Sequence, residues 1–138
     1  MDSLNRASAA LLIFGDSLVP DEVTTLLGTQ PTLGVRKGEV FRASHGDQVE
    51  ASTGKWIYGG DWRSPPNLDE QIAELLSPLP NEIELWGKLT SRFDCCLSVG
   101  AYLNDWTGGL TLAPATSELL AKRCLPIDFD LYAPAASS

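Results

Sequence analysis

The sequence predicts an α+β fold: a single domain with a mixed, mostly antiparallel sheet and helices packed on one face. Strand-like and helix-like segments follow one another in mixed order, and some strand pairs are separated only by turn residues. The 138 residues suit one domain, and an apolar content of 43% is enough for a hydrophobic core. We therefore expect one domain over residues 1–133 and a flexible tail over residues 134–138.

The first half of the chain predicts one helix and three strands. Residues 7–14 form a short apolar run that ends at a glycine, which is typical of a central strand. A helix is expected to begin at Pro20 and to end at Gly28, because proline suits the first helical position and glycine suits the left-handed position after the last turn. Two further strands, near residues 39–43 and 55–58, are expected to pair as a hairpin through a polar, glycine-containing segment.

The second half of the chain predicts three helices and three strands. Asn67 has the side chain of a helix N-cap, and Glu70 follows three residues later, as in a capping box. The apolar residues after them recur on one helical face until Pro80 ends the pattern. The other expected elements are a short helix after Asn81, a strand over residues 93–103, its hairpin partner over 110–112, a helix over 117–124 and a half-buried strand over 127–132.

The chain is acidic, and its charge is unevenly distributed. It contains 18 Asp and Glu residues and 10 Lys and Arg residues, which gives a formal net charge of −8. Residues 36–63 contain five bases and four acids, so the rest of the chain carries fourteen acids and five bases. An acidic surface repels phosphate backbones and speeds the approach of basic proteins. We therefore expect a basic protein partner and no nucleic acid.

The acids after residue 60 give the candidate surface for this partner. Most of them lie at predicted helix starts, where the helix dipole already explains them, but together they form a negative patch. Two tryptophans nearby are candidate apolar anchors, since tryptophan is enriched among the residues that dominate interfaces. The candidate partner-binding residues are Asp61, Trp62, Asp69, Glu70, Glu74, Glu82, Glu84 and Trp86.

A second hypothesis is a small-ligand site in the basic part of the chain. Lysine and arginine side chains there would hold a phosphate or a carboxylate, and an aromatic ring on the following strand would stack on a base. The glycine spacing matches no phosphate-binding loop. The candidate residues of this alternative are Arg36, Lys37, Arg42, Lys55, Trp56 and Tyr58.

A remote alternative is a hydrolase. The stretch Phe14-Gly15-Asp16-Ser17-Leu18 resembles the first block of the GDSL-type lipases and esterases, in which the serine is the nucleophile. That chemistry needs a histidine base, usually near the C-terminus, and His45 is the only histidine in the chain. The glycine of the oxyanion block is replaced by Tyr102, two residues before Asn104. We therefore predict that the protein is not an enzyme.

The cysteines and the hydropathy predict no metal site and no membrane span. Cys95 and Cys96 are neighbours on a predicted strand, so they point to opposite faces and do not readily form a disulfide with each other. The cysteines are expected to be buried, reduced thiols without the spacing of a zinc site, and a reactive or metal-binding cysteine is the alternative. No run of about 18 apolar residues occurs. We expect a cytoplasmic protein without a metal or cofactor.

Seven segments carry a family resemblance when they are taken in order: residues 11–23, 26–32, 36–39, 54–56, 68–76, 104–110 and 128–132. Together they resemble the small bacterial family known as domain of unknown function 4279. The resemblance implies an α+β domain with no established catalytic activity, so it assigns no catalytic residue. Val19 departs from the family pattern, which tends to place an acid before the proline, so the usual cap of the first helix is not expected.

By analogy with small acidic domains found beside bacterial toxins, the leading hypothesis is an immunity-type protein. Such a protein would bind and block a basic partner, for example a nuclease toxin, through its acidic surface.

Overall fold

The computed structural model describes residues 3–43 and 45–134, and its secondary structure comprises four helices and seven strands within those residues. In chain order the elements are β1 (Leu4–Gly15), α1 (Pro20–Leu27), β2 (Leu33–Val35), β3 (Val40–Arg42), β4 (Gln48–Glu50), β5 (Gly54–Gly59), α2 (Leu68–Leu76), α3 (Ile83–Arg92), β6 (Asp94–Leu103), α4 (Pro114–Lys122) and β7 (Ile127–Tyr132).

Five strands form one sheet in the order β2-β5-β1-β6-β7. The pairs β2–β5, β5–β1 and β1–β6 are antiparallel, whereas β6–β7 is parallel. A parallel pair needs a crossover, which α4 and the loop before it provide. The strands β3 and β4 form a separate two-stranded hairpin. The mixed, mostly antiparallel sheet confirms the predicted α+β class.

The helices cover one face of the sheet, which we call the helix face; the opposite side is the open face. Alternate residues of the two long central strands are buried on the helix face, among them Leu11 and Ile13 of β1 and Leu97 and Val99 of β6. Their sequence neighbours point to the open face and are half-buried or exposed. The core therefore lies between the sheet and the helices.

The helix ends follow the capping rules read from the sequence. Gly28 ends α1 in the left-handed conformation with a φ of 70°, and its amide donates to the Thr24 carbonyl. The Asn67 side chain accepts a hydrogen bond from the Glu70 amide at 3.2 Å and so caps α2. Val19 precedes α1 and makes no side-chain cap hydrogen bond, as its apolar side chain requires.

Two predicted strand pairings were wrong. The strand over residues 55–58 pairs with β1 and β2 rather than with β3, whose partner is the short strand β4. Residues 110–112 do not form a strand. Both edges of β6 are already occupied by β1 and β7, so no ladder remains for a hairpin partner. The helix predicted over residues 117–124 begins earlier, because Pro114 takes its first position.

Most of the predicted tail lies outside the described residues: of residues 134–138, the structure describes only Pro134.

Within the described part of the chain, none of the helices is both long enough and apolar enough to cross a membrane.

Candidate partner-binding site

A bulge after β5 decides where the neighbouring side chains point. Gly59 pairs with Ala10 of β1, and Arg63 forms an antiparallel bridge with Ala7. Between these two pairs, β1 has two residues and the segment after β5 has three. The segment after β5 therefore contains one extra residue, which forms the bulge. The two glycines that open the bulge have φ angles of +93° and +105°, which glycine adopts without strain. Trp62 therefore lies on the open face and Arg63 on the helix face.

The acidic cleft is the space of about 380 Å³ between this bulge and α2. Asp61, Arg63 and Glu74 line it, and Arg63 forms an ion pair with Glu74. The charges of Glu70 and Asp61 also act on Arg63. Two carboxylates and one guanidinium thus line the cleft, and its lining keeps a net negative charge.

The Arg63–Glu74 ion pair shifts the pKa of both partners. The hydrogen bond between the two side chains raises the pKa of Arg63 and lowers the pKa of Glu74. The two side chains are 44% and 49% exposed, so water screens their attraction. The pair orients both groups at the mouth of the cleft, and it contributes little to the stability of the fold.

Replacing Glu74 with glutamine is expected to remove a small, pH-dependent contribution to stability. Because the folded-state pKa of Glu74 lies below its ordinary value, the pair stabilises the fold above that value and loses this contribution as the pH falls through the folded-state pKa. The wild-type protein should be the more stable at about pH 7, and the difference should vanish at about pH 2. Urea unfolding at both pH values measures the effect. Glu84→Gln on α3 is the control, and an identical pH dependence in both variants would contradict the assignment.

The aromatic cluster, defined as Arg6, Trp62, Tyr102 and Tyr132, lies on the open face. The ring centroids of Trp62 and Tyr102 are 5.3 Å apart, and those of Tyr102 and Tyr132 are 4.7 Å apart. The guanidinium carbon of Arg6 lies 4.1 Å from the Tyr102 centroid and 5.2 Å from the Trp62 centroid. Stacking and cation–π attraction therefore hold side chains from β1, the bulge, β6 and β7 in contact.

Gly100 allows Trp62 to approach the sheet. A Cβ atom at Gly100 would lie 2.9 Å from the Cη2 atom of Trp62 and 3.1 Å from the hydroxyl oxygen of Ser8, closer than normal packing permits. Asp130 of β7 is the register partner of Gly100, so a carboxylate lies beside the cluster on the same face. Trp62 nevertheless keeps 44% of its surface exposed, as does Tyr132.

Almost the whole chain matches the model of a protein family. The family model described as "Domain of unknown function (DUF4279)" matches residues 5–134. The chain belongs to the DUF4279 family. This confirms the resemblance found in the sequence, and the matched segment contains the acidic cleft and the aromatic cluster. No curated protein and no solved structure matches the chain.

Two of the eight predicted partner-binding residues have structural roles in this DUF4279 domain. The Trp86 side chain is fully buried and its indole N–H donates to the Pro80 carbonyl at 2.7 Å, so it cannot touch a partner while the fold is intact. The carboxylate of Asp69 accepts hydrogen bonds from the Ala113 amide and from the Thr116 hydroxyl. Asp69 therefore stabilises the start of α4.

The other six predicted partner-binding residues do not form one surface. They are divided among the acidic cleft (Asp61 and Glu74), the first turn of α2 (Glu70), the aromatic cluster (Trp62) and the exposed start of α3 (Glu82 and Glu84).

The sheet separates the aromatic residues of the small-ligand alternative from Lys55. Trp56 is fully buried on the helix face, where its indole N–H donates to the Thr24 hydroxyl at 3.0 Å, and Tyr58 stacks on it with 6.0 Å between centroids. Lys55 lies on the open face, with its ammonium 5.5 Å from the Phe14 centroid. Trp56 and Lys55 point to opposite faces and cannot hold the same ligand.

The remaining basic residues of that alternative lie on or before the β3–β4 hairpin. The ammonium of Lys37 is 3.2 Å from the Asp16 carboxylate, and the guanidinium of Arg42 donates to the Gly46 carbonyl at 3.0 Å. Arg36 is exposed in the loop that precedes β3. These cations therefore have local partners or face solvent, and they do not surround the aromatic pair on β5.

The residues of the hydrolase alternative lie in two different turns. Ser17 is exposed in the turn between β1 and α1. His45 lies in the turn between β3 and β4, with its Nδ1 atom 3.3 Å from the Asp47 carboxylate and its side chain 64% exposed. The imidazole thus lies beside a carboxylate of its own turn.

Cys95 and Cys96 point to opposite faces of β6, as predicted, and all three cysteines are free. Burial, followed by the nearby charges of Cys96 and Asp94, raises the pKa of Cys95 to about 12. Burial and a hydrogen bond with Asp128 raise the pKa of Cys96 to about 11. Both groups are therefore protonated thiols near neutral pH, and a protonated thiol is a poor nucleophile.

Thiol labelling of the native protein is expected to modify one cysteine rapidly. Cys124 is exposed after α4, whereas Cys95 and Cys96 are protonated and wholly or partly buried. With a chromogenic disulfide reagent at about pH 7.5 we expect one fast equivalent, and the other two only after denaturation. The Cys124→Ser variant should lack the fast phase. A fast phase that persists in this variant would refute the burial of the other two thiols.

The sequence-based candidates omit three members of the aromatic cluster, Arg6, Tyr102 and Tyr132. Their joint location depends on β1, β6 and β7 being neighbours, which the periodicity of single strands does not reveal. One signal was available: Gly100 lies inside a strand that is rich in apolar residues, and such a glycine often marks the close approach of another group.

Proposed function

We propose that this DUF4279 protein is a non-catalytic, immunity-type protein of the cytoplasm, which binds and neutralises a basic protein such as a nuclease toxin. The partner would contact the aromatic cluster and the carboxylates beside it. This keeps the basic partner expected from the sequence and places its contact on the open face of the sheet instead of on the helices.

The observation that supports the proposal most is the exposure of the aromatic cluster. Tryptophan, tyrosine and arginine are the residues most enriched at the centres of protein interfaces, and here they contact one another in one place. Trp62 and Tyr132 each expose 44% of their surface, although cation–π and stacking contacts already fix their positions. A preorganised aromatic surface loses little conformational entropy when a partner binds.

Charge supports a basic partner. Asp130 lies beside the cluster on the open face, Asp61 is next to Trp62 in the chain, and the net charge of the protein is −8. A field of this sign attracts basic proteins and raises the rate at which they associate. The non-catalytic part of the proposal is supported by the single histidine, which is exposed on a turn with Asp47 as its partner.

The experiment is a calorimetric titration of the protein with any basic toxin domain that a gene beside its own encodes. We expect a complex with at least micromolar affinity, and Trp62→Ala should raise its Kd by about 30-fold, the effect of losing a residue worth about 2 kcal/mol. Ile83→Ala, which truncates an exposed apolar side chain at the start of α3, is the control and should leave Kd unchanged. Absence of binding, or equal effects of both substitutions, would overturn the proposal.

A further inference from the structure

Among the described residues, β7 is the last strand of the sheet, and one of its two sides pairs with no other strand. In the parallel ladder with β6, the Leu97 amide donates to the Pro126 carbonyl at 2.9 Å, and Leu97 is in register with Ile127. Continuing that ladder turns the backbone groups of Asp128 and Asp130 towards β6. The amides and carbonyls of Ile127, Phe129 and Leu131 therefore point away from the sheet, along an edge that ends it.

The two faces of this edge differ in chemistry. Phe129 and Leu131 are in register with Val99 and Ala101 and so point to the helix face, but they remain 40% and 52% exposed. Asp128 and Asp130 point to the open face, where Tyr132 joins β7 to the aromatic cluster. The edge thus combines unpaired backbone groups, exposed apolar side chains on one face and carboxylates on the other.

A second copy of this chain fits the edge poorly. An antiparallel pair of β7 strands centred on Phe129 would place Asp128 of each copy directly opposite Asp130 of the other. A shift of the register by two residues would place Asp130 opposite its own equivalent. Like charges directly opposite each other destabilise a sheet, so the charge pattern favours a strand of different composition.

We infer that β7 binds an extended segment of a partner protein in which lysine or arginine alternates with apolar residues. The backbone of this segment would pair with the outward amides and carbonyls of Ile127, Phe129 and Leu131. Its basic side chains would lie opposite Asp128 and Asp130, and its apolar side chains would pack on Phe129 and Leu131. This inference rests on the proposed function, since it specifies how the basic partner is held beside the aromatic cluster.

The probe is the peptide Lys-Val-Lys-Val-Lys-Val-Lys with blocked ends, titrated into the full chain labelled with ¹⁵N. We expect the largest amide shifts and the largest slowing of hydrogen exchange at Ile127, Phe129 and Leu131. The peptide with glutamate in place of lysine should bind at least about tenfold more weakly, because its charges would lie opposite carboxylates. Equal binding of both peptides, or shifts confined to other strands, would overturn the inference.

Two pairs of variants separate backbone pairing from charge. Phe129→Pro removes one outward amide without removing a hydrogen bond to β6, whereas its match Phe129→Ala removes the ring alone. The proline variant should bind the lysine peptide about tenfold more weakly than the alanine variant. Asp130→Lys should reverse the preference between the two peptides, and Asp47→Lys, with the same change of charge on the distant hairpin, should not. Failure of both expectations would overturn the inference.

The variants also separate this inference from the proposed function. If Trp62→Ala weakens binding to the toxin domain but Phe129→Pro binds it as tightly as Phe129→Ala, the proposed function stands and the strand pairing is refuted. If slowing of exchange along β7 instead grows with protein concentration in the absence of peptide, a second copy occupies the edge and the inference is wrong.

Discussion

Replacing Trp86 with alanine is expected to lower the free energy of unfolding by about 3–5 kcal/mol. The indole is fully buried, donates to the Pro80 carbonyl at 2.7 Å and lies 5.8 Å from the Arg123 guanidinium. Truncation removes its apolar contacts, leaves a cavity and deprives the carbonyl of this donor. Urea unfolding followed by circular dichroism measures the change.

The control for Trp86 is another tryptophan. Trp106 is 69% exposed in the loop after β6, and its replacement with alanine should change the free energy of unfolding by less than about 0.5 kcal/mol. The comparison also decides what Trp86 contributes to binding. A Trp86→Ala protein that unfolds at the wild-type urea concentration but fails to bind its partner would show that the indole acts at the surface, contrary to its burial.

Replacing Asp69 with alanine is expected to lower the free energy of unfolding by about 1–3 kcal/mol, more than the removal of an exposed acidic side chain would. Its carboxylate accepts hydrogen bonds from the Ala113 amide at 3.0 Å and from the Thr116 hydroxyl. The Thr116 side chain is almost completely buried, so the substitution leaves a buried hydroxyl without its acceptor. A negative charge at the start of α4 also interacts favourably with the helix dipole.

Glu82→Ala is the matched control for Asp69, because it removes the same charge at the start of α3, where the side chain makes no cap hydrogen bond. A double-mutant cycle with Thr116→Val isolates the side-chain contact: the effects of Asp69→Ala and Thr116→Val should be clearly non-additive. Thermal and urea unfolding provide the energies. Additive effects would mean that the two side chains do not interact, and the role assigned to Asp69 would fail.

Much of the fold was predictable because local rules determine it. The apolar run over residues 7–14 predicted the central strand β1, and Asn67 predicted the start of α2. The errors concern elements whose formation depends on distant neighbours. The strands β2 and β4 have only three residues each, too few for a periodic pattern, and residues 110–112 resemble a strand but have no free edge beside β6.

The candidate site was less predictable than the fold, for a physical reason. Charge and residue type select amino acids that suit an interface, but burial decides which of them are available, and burial depends on the packing of elements remote in sequence. Trp62 and Trp86 are equally good candidates by composition, yet one is 44% exposed and the other is in the core. Arg6 and Tyr132 meet through Tyr102 only because β6 lies between β1 and β7.

The bulge after β5 has a consequence for how related sequences diverge. With regular pairing at the same length, Trp62 would come opposite Ala7 and turn towards α2, and Arg63 would turn outward. The extra residue and the two glycines of the bulge should therefore covary among relatives. A relative that is one residue shorter here would keep the arginine on the helix face by regular pairing, and it would not need glycine at the positions of Gly59 and Gly60. A relative of the same length with β-branched residues at both glycine positions would have the residue equivalent to Trp62 on the helix face and the residue equivalent to Arg63 on the open face.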